Sequence, residues 1–433
     1  MNYDETIYYL EKCHRFGSKQ GHENFKRLMS LLGEPQKNLK IIHVAGTNGK
    51  GSTCAMIYSI LLSQGYNTGL FSSPHLERYN ERIALNGEYI SDYDFTRHIE
   101  IVKNKVFELF GETDEFFSFF EIITAAAFNY FNEKNADFVV LEVGLGGRLD
   151  STNIIENPLV CVITSISFDH MEYLGSDIFD ITREKGGIIK KNSSVVLYSQ
   201  QEKVYNIIKE ICSEKNSDLF YTDDYGINII NRSLNGTLFN VKNNYFFYKK
   251  IFVGLCGDYQ IFNACNALMA VEALKKRGIF VSDEAVFDGL KNACIKGRMH
   301  IIMKNPLFIL DGAHNIGGVE SLNIFLQRLK SCNKKITIII GILKDKNYGE
   351  MIDKITRFCD NVIFTEANSK RAIKSQILFK SGVFANKRIF IEENYKDAVE
   401  LALKISDDND SIICTGSLYL VGDVLKYFNN THY

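Results

Sequence analysis

Residues 40–53, KIIHVAGTNGKGST, decide how this chain is to be read. Ile41, Ile42 and Val44 form a short apolar run that predicts a buried strand, and CAMIYSILLSQG after Ser52 repeats apolar side chains at helical spacing up to Gly65. A strand, a glycine-rich turn and a helix in that order make a phosphate cradle. Glycines let the backbone approach the oxygens, and the amides at the helix N-terminus favour negative charge. Asn48, Gly49, Lys50, Gly51 and Ser52 are therefore candidate nucleotide ligands, with Lys50 reaching the outer phosphates. The pattern departs from the strict P-loop: Val44 stands where that motif has its first glycine, and Gly51 separates Lys50 from Ser52.

The bulk properties narrow the setting. A chain of 433 residues exceeds what one hydrophobic core usually serves. A net charge of −2 gives no general attraction to nucleic acid or anionic membrane, so anion binding has to be local. No apolar run approaches the ~18 residues needed to span a bilayer, and the first residues lack a signal-peptide pattern. A soluble, cytoplasmic protein is expected. Ten cysteines are scattered without a CxxC pair, and Cys54, Cys161, Cys265 and Cys414 sit in apolar segments, so reduced core thiols are expected rather than disulfides.

Further along, each apolar segment ends in polar groups. NTGLFSS predicts a strand ending at Ser73, Pro74 and His75; ADFVVLEV ends at Glu142; LVCVITSIS leads to Asp169 and His170. Such groups at the C-terminal ends of parallel strands face the ligand crevice of an open α/β sheet. GLGGRLDSTN, from Gly144, fails the dinucleotide pattern GxGxxG because Leu149 holds the third position. Residues 218–253 alternate polar with aromatic and branched side chains around Asn235-Gly236, the signature of a small antiparallel insert. From Leu307 strands and amphipathic helices alternate. The fold expected is α/β in two domains: a P-loop-type ATPase domain over 1–296 with the antiparallel insert, and a Rossmann-like doubly wound domain over 297–433.

Taken together, HVAGTNGKGST, SSPH, FFEIITAAAF, VLEVGLGGRLDSTN, SFDHMEYLG, REKGGII, GDYQIFNA, GR, DGAHN and TGSLYLVGD resemble, in this order, the motifs of the folylpolyglutamate synthase and dihydrofolate synthase family within the Mur-type amide ligases. The resemblance implies an ATP-dependent ligase that adds L-glutamate to dihydropteroate or a reduced folate through an acyl phosphate. It implies two magnesium ions, held by Ser73, Glu142, His170 and a carbamylated Lys185. Asn263, Arg298 and Asp311 match nucleotide-binding positions, and Lys50, Lys185 and His314 the catalytic ones. Ser73, Pro74, His75, Phe120, Glu121, His314 and Asn315 fall where the substrates are expected. The family is commonly monomeric.

Each residue taken singly has a plainer account. Ser73 could cap a turn, Glu142 could pair with a cation, Lys185 could be a solvated helix lysine, Arg298 a linker arginine, and the phenylalanines at 116, 117, 119 and 120 could be core. Two other functions compete. A Mur-type ligase acting on a cell-wall nucleotide precursor would share the ATP site, but only about 40 residues precede the phosphate loop, too few for an additional uridine-nucleotide domain. A nucleotide-switched regulatory protein would need none of Glu142, His170 and Lys185.

Overall fold

The computed structural model describes residues 1–13, 22–111, 117–168, 175, 177–332 and 334–431. Residues 14–21, Phe116, Asp169 and His170 lie outside them. Eight strands form the first sheet: β1 (Ile41–Ala45), β2 (Thr68–Phe71), β3 (Ile83–Leu85), β4 (Glu88–Tyr89), β5 (Phe138–Glu142), β6 (Val160–Ile163), β7 (Ser194–Leu197) and β8 (Asp218–Phe220). Their spatial order is β4-β3-β2-β5-β1-β6-β7-β8, parallel from β2 to β8, with the β3–β4 hairpin antiparallel at one edge. Because successive side chains point to opposite faces, Ile42 and Val44 enter one core with the helices Lys50–Ser63 and Tyr259–Lys276, while Ile41 enters another with Asp92–Phe110 and Phe119–Glu133. Both faces of β1 are thus covered, and every residue of it is buried.

A separate three-stranded antiparallel sheet follows: β9 (Ile227–Ser233), β10 (Gly236–Lys242) and β11 (Phe247–Val253). The insert is shorter than its sequence suggested. Asp218, Leu219 and Phe220 pair in parallel with β7, so that segment extends the main sheet.

The second lobe carries six strands, β12 (His300–Lys304), β13 (Leu307–Leu310), β14 (Ile336–Ile340), β15 (Asn361–Glu366), β16 (Arg388–Asn394) and β17 (Ser411–Thr415), ordered β12-β13-β17-β14-β15-β16. All pair in parallel except β12, an antiparallel edge strand. Residues 73–82 lie between the lobes. Leu76 packs on the second lobe's core, and a Cβ at Gly422 would stand 2.3 Å from the Leu76 carbonyl oxygen. All ten cysteines are free; Cys294 and Cys332 are exposed and the other eight buried. No described helix is long and apolar enough to cross a membrane.

Candidate active site

β1 is flanked by β5 on one side and β6 on the other, so the chain turns both ways from it and a crevice opens at the strands' C-terminal ends. The glycine-rich turn fills that position. Gly46 leaves the strand at φ +149°, and Gly49, at φ +86°, caps the helix Lys50–Ser63. The turn is stitched to the end of β6: Thr47 N donates to the Ser165 carbonyl at 2.7 Å, and Ser167 N to Thr47 Oγ1 at 3.0 Å. Lys50 folds back, donating from Nζ to the carbonyls of Gly46 (3.1 Å) and Thr47 (3.3 Å).

Lys185 meets it there. It belongs to the helix Ile178–Gly186, yet it is 4% exposed and its Nζ donates to the same Gly46 carbonyl at 2.9 Å. The surface reading of this lysine is therefore wrong. GLGGRLDSTN explains how it is placed: a Cβ at Gly147 would stand 2.6 Å from the Glu184 carbonyl oxygen, and one at Gly187 would stand 2.5 Å from Arg148 Cβ. Only bare backbone lets the two segments approach this closely. Arg148 Nη2 then pairs with Glu184 at 2.7 Å, and Asn153 Nδ2 ties the Arg148 and Gly187 carbonyls, both at 3.1 Å.

Glu142 ends β5 beside this pair. A Cβ on Gly51 would lie 3.7 Å from either of its carboxylate oxygens. Its Oε2 accepts from Ser73 N at 2.9 Å, and among the described residues no cationic nitrogen lies within ion-pair reach. Burial raises its pKa, opposed chiefly by the charge of Lys50. A buried carboxylate without an ion-pair partner, next to a phosphate cradle, is a hard-oxygen donor suited to a divalent cation such as magnesium.

His75 is held as a neutral ring: Arg82 Nε donates to its Nδ1 at 2.8 Å, Tyr79 packs at 4.2 Å between ring centroids, and burial pushes its pKa down to about 3. Phe120 lies 5.7 Å from Phe71 and covers Gly144, where a Cβ would stand 2.6 Å from its ring. Glu121 serves its own helix, its Oε2 accepting from Ser118 N at 2.8 Å while Ser118 Oγ accepts from Glu121 N.

The residues expected to meet the nucleotide are each anchored. Asn263 leans over the turn, and a Cβ on Gly49 would stand 2.4 Å from its Oδ1. Arg298 donates to the Gly312 carbonyl at 3.0 Å. Asp311 is fully enclosed, accepting from Met299 N and Ala313 N at 3.0 Å each. Burial raises its pKa against the pull of Arg298. His314 Nδ1 donates to the Gly312 carbonyl at 2.7 Å, since a carbonyl can only accept. Asn315 caps the helix Ile316–Ser331 through Gly318 N (2.9 Å) and exchanges two hydrogen bonds with Asn48, at 3.1 and 3.3 Å. That amide pair sets a helix N-terminus of the second lobe against the phosphate turn.

Sequence reasoning passed over His43, which lies under the turn on β1. Thr152 Oγ1 donates to Asp150 at 2.5 Å, so the 2.9 Å contact with His43 Nε2 makes the ring nitrogen the donor. Burial pushes this imidazole down to about 3. The unfolded chain binds a proton there below about pH 6.5 that the folded chain refuses, so the stabilisation is complete above that pH and lost as pH falls toward 3. Urea unfolding should show wild type losing about 2 kcal/mol more than His43→Gln between pH 7 and pH 5. Equal losses would place the ring's protonation elsewhere.

A glycine-rich turn with two lysines on one carbonyl, a buried carboxylate beside it and a second lobe bridged to it is the site of a P-loop ligase of the Mur type. The Mur ligase middle domain matches residues 44–271, and the Mur ligase glutamate ligase domain matches residues 297–418. Dihydrofolate synthase/folylpolyglutamate synthase of Bacillus subtilis (strain 168) is 38% identical over 420 residues, 95% of this chain and 96% of that protein. Mycobacterium tuberculosis folylpolyglutamate synthase complexed with ADP superposes with a TM-score of 0.89 at 28% identity, over 99% of this chain and 98% of that one. Escherichia coli FolC in complex with DHPP and ADP gives 0.87 at 27% identity, over 100% and 99%. The chain belongs to the folylpolyglutamate synthase/dihydrofolate synthase family, and it is an ATP-dependent ligase.

Proposed function

We propose that this enzyme joins L-glutamate to the carboxylate of dihydropteroate, a reduced folate, or both, as ATP becomes ADP and phosphate. The observation that carries this reading is the buried Lys185 amine on the Gly46 carbonyl, a placement that a solvated helix lysine has no reason to adopt. ATP phosphates enter the turn between Asn48 and Ser52, where Lys50 and the helix N-terminus offset their charge. Asn263, Arg298 and Asp311 hold the rest of the nucleotide. A carboxylate oxygen of the acceptor bonds to the γ-phosphorus and ADP leaves, giving an acyl phosphate. The glutamate amine then bonds to the acyl carbon, phosphate departs with the C–O electron pair, and the amine's proton passes to solvent. His314 and Asn315 hold the incoming glutamate.

Glu142, Ser73, His170 and Lys185 would hold two magnesium ions, Lys185 after reaction with carbon dioxide has turned its amine into a carbamate. When bound, magnesium supplies neutralisation of the charge that develops on the transferring phosphoryl group. Ser73, Pro74, His75, Phe120 and Glu121 border the acceptor. The enzyme works as a cytoplasmic monomer with no nucleic-acid or membrane partner.

ADP release measured with glutamate and, in turn, dihydropteroate, tetrahydrofolate or a uridine-linked cell-wall precursor tests the assignment. Stimulation by the pteridine acids alone is expected, and their relative rates report whether both activities reside here. Stimulation by the cell-wall precursor alone would overturn the reading.

A further inference from the structure

We propose that Arg82 is the receptor for the acceptor's carboxylate, holding it for phosphorylation and then steadying the acyl oxygen while the amine attacks. The inference rests on the ligase reading above. Arg82 stands immediately before β3 and is only 5% exposed. A charged guanidinium is seldom enclosed without an anion to meet it, because the lost hydration has to be replaced. Here the described residues replace little of it. Among the described residues its side chain makes one hydrogen bond, from Nε to the neutral ring of His75, and no carboxylate lies within ion-pair reach. Burial lowers its pKa to about 10, still far above neutrality, so the charge persists.

The surroundings say which anion fits. Tyr79, the second lobe's Tyr419, Glu142 and Glu81 all act on the guanidinium's charge, and the neighbouring Leu76 packs on the second lobe, so the group stands at the junction of the lobes. Its ring neighbour is Phe119, 5.5 Å from the guanidinium carbon, on the side of the site bordered by His75 and Phe120. The phosphates are already provided for by Lys50 and the helix N-terminus at the end of β1, whereas Arg82 belongs to the β2 edge. Its carbonyl accepts from Ser72 N at 3.0 Å, which fixes it beside the strand end that leads to Ser73. A planar fork of N–H donors matches the two oxygens of a carboxylate. After the first step the same donors face the acyl oxygen, which gains negative charge as the glutamate nitrogen bonds to carbon.

The test compares dihydropteroate with its carboxamide, measured calorimetrically against the full-length enzyme in the presence of magnesium and β,γ-methylene-ATP. Wild type should prefer the carboxylate by roughly 10- to 100-fold. Arg82→Met should bind both ligands equally, at about the affinity wild type shows for the carboxamide, and Arg82→Lys should keep part of the preference. Arg82→Lys carries the test if the methionine variant does not fold. An unchanged preference in either variant, with both ligands weakened alike, would overturn the proposal and leave Arg82 a structural residue. Failure of wild type to bind either pteridine would overturn the folate reading, and this assignment with it. Turnover of pteridine acceptors with unchanged discrimination in the variants would remove this assignment alone.

Discussion

Lys185→Ala is expected to lower kcat on the order of 10³-fold, with ATP binding weakened only a few-fold and with part of the activity restored by acetate or another short carboxylate. The magnitude follows from the several kcal/mol that a correctly held divalent ion contributes to a phosphoryl-transfer barrier, at about 1.4 kcal/mol per tenfold in rate. Lys185 reaches the site because Gly147 and Gly187 bring its helix against the GLGG turn, and neither contact involves the lysine side chain. The variant should therefore keep the fold, and a loose carboxylate can enter the space its side chain leaves. Single-turnover measurements with and without added carboxylate provide the check, and incorporation of labelled carbon dioxide into the wild-type enzyme should depend on Lys185. Full activity in the unsupplemented variant would remove Lys185 from the mechanism.

Gly46→Ala should damage stability and catalysis together. A Cβ there would overlap Thr164, lying 1.7 Å from its Oγ1, at a backbone φ of +149° that side chains resist. Thr164 is buried and tied to the Ala45 carbonyl at 3.2 Å, so it has little room to yield. Strain and overpacking of this kind cost about 3 kcal/mol. The carbonyl of the same residue receives both Lys50 and Lys185, so any shift that relieves the overlap misplaces two amines. A fall in the urea midpoint and at least a 100-fold fall in kcat/KM are expected. Gly51→Ala is the control: its φ is ordinary, and its tightest contact is the flexible end of Ile295 at 3.1 Å, so stability should change by less than about 1 kcal/mol. Equal stability in Gly46→Ala and wild type would contradict the packing described around the turn.

What could be read from sequence was local and periodic. β1, β5 and β6 announced themselves as apolar runs, and because parallel strands put their C-terminal ends on one side, Lys50, Ser73 and Glu142 could be grouped before any distance was known. Asn235-Gly236 marked the hairpin between β9 and β10. The failures share a cause. Asp218 to Phe220 is too short to show a period, so β8 was assigned to the insert, and β12 was passed over because the strands of the second lobe were counted only from Leu307. Lys185 sits in REKGG, a polar run that reads as solvated, and its burial depends on a segment some forty residues earlier in the chain, packed through Gly147 and Gly187. The Asn48–Asn315 pair spans 267 positions, a separation at which spacing carries no information. Arg82 drew no notice because an arginine ahead of a hairpin strand is ordinary until no carboxylate among the described residues turns out to pair with it.

Eight thiols are sealed inside the two lobes, which leaves Cys294 just after the last helix of the first lobe and Cys332 at the end of the first helix of the second. Maleimide dyes should therefore attach at these two places without mutagenesis, one on each lobe. Energy transfer between them would follow lobe movement during a catalytic cycle, and the absence of tryptophan from the chain leaves the ultraviolet window open for a third reporter placed at will.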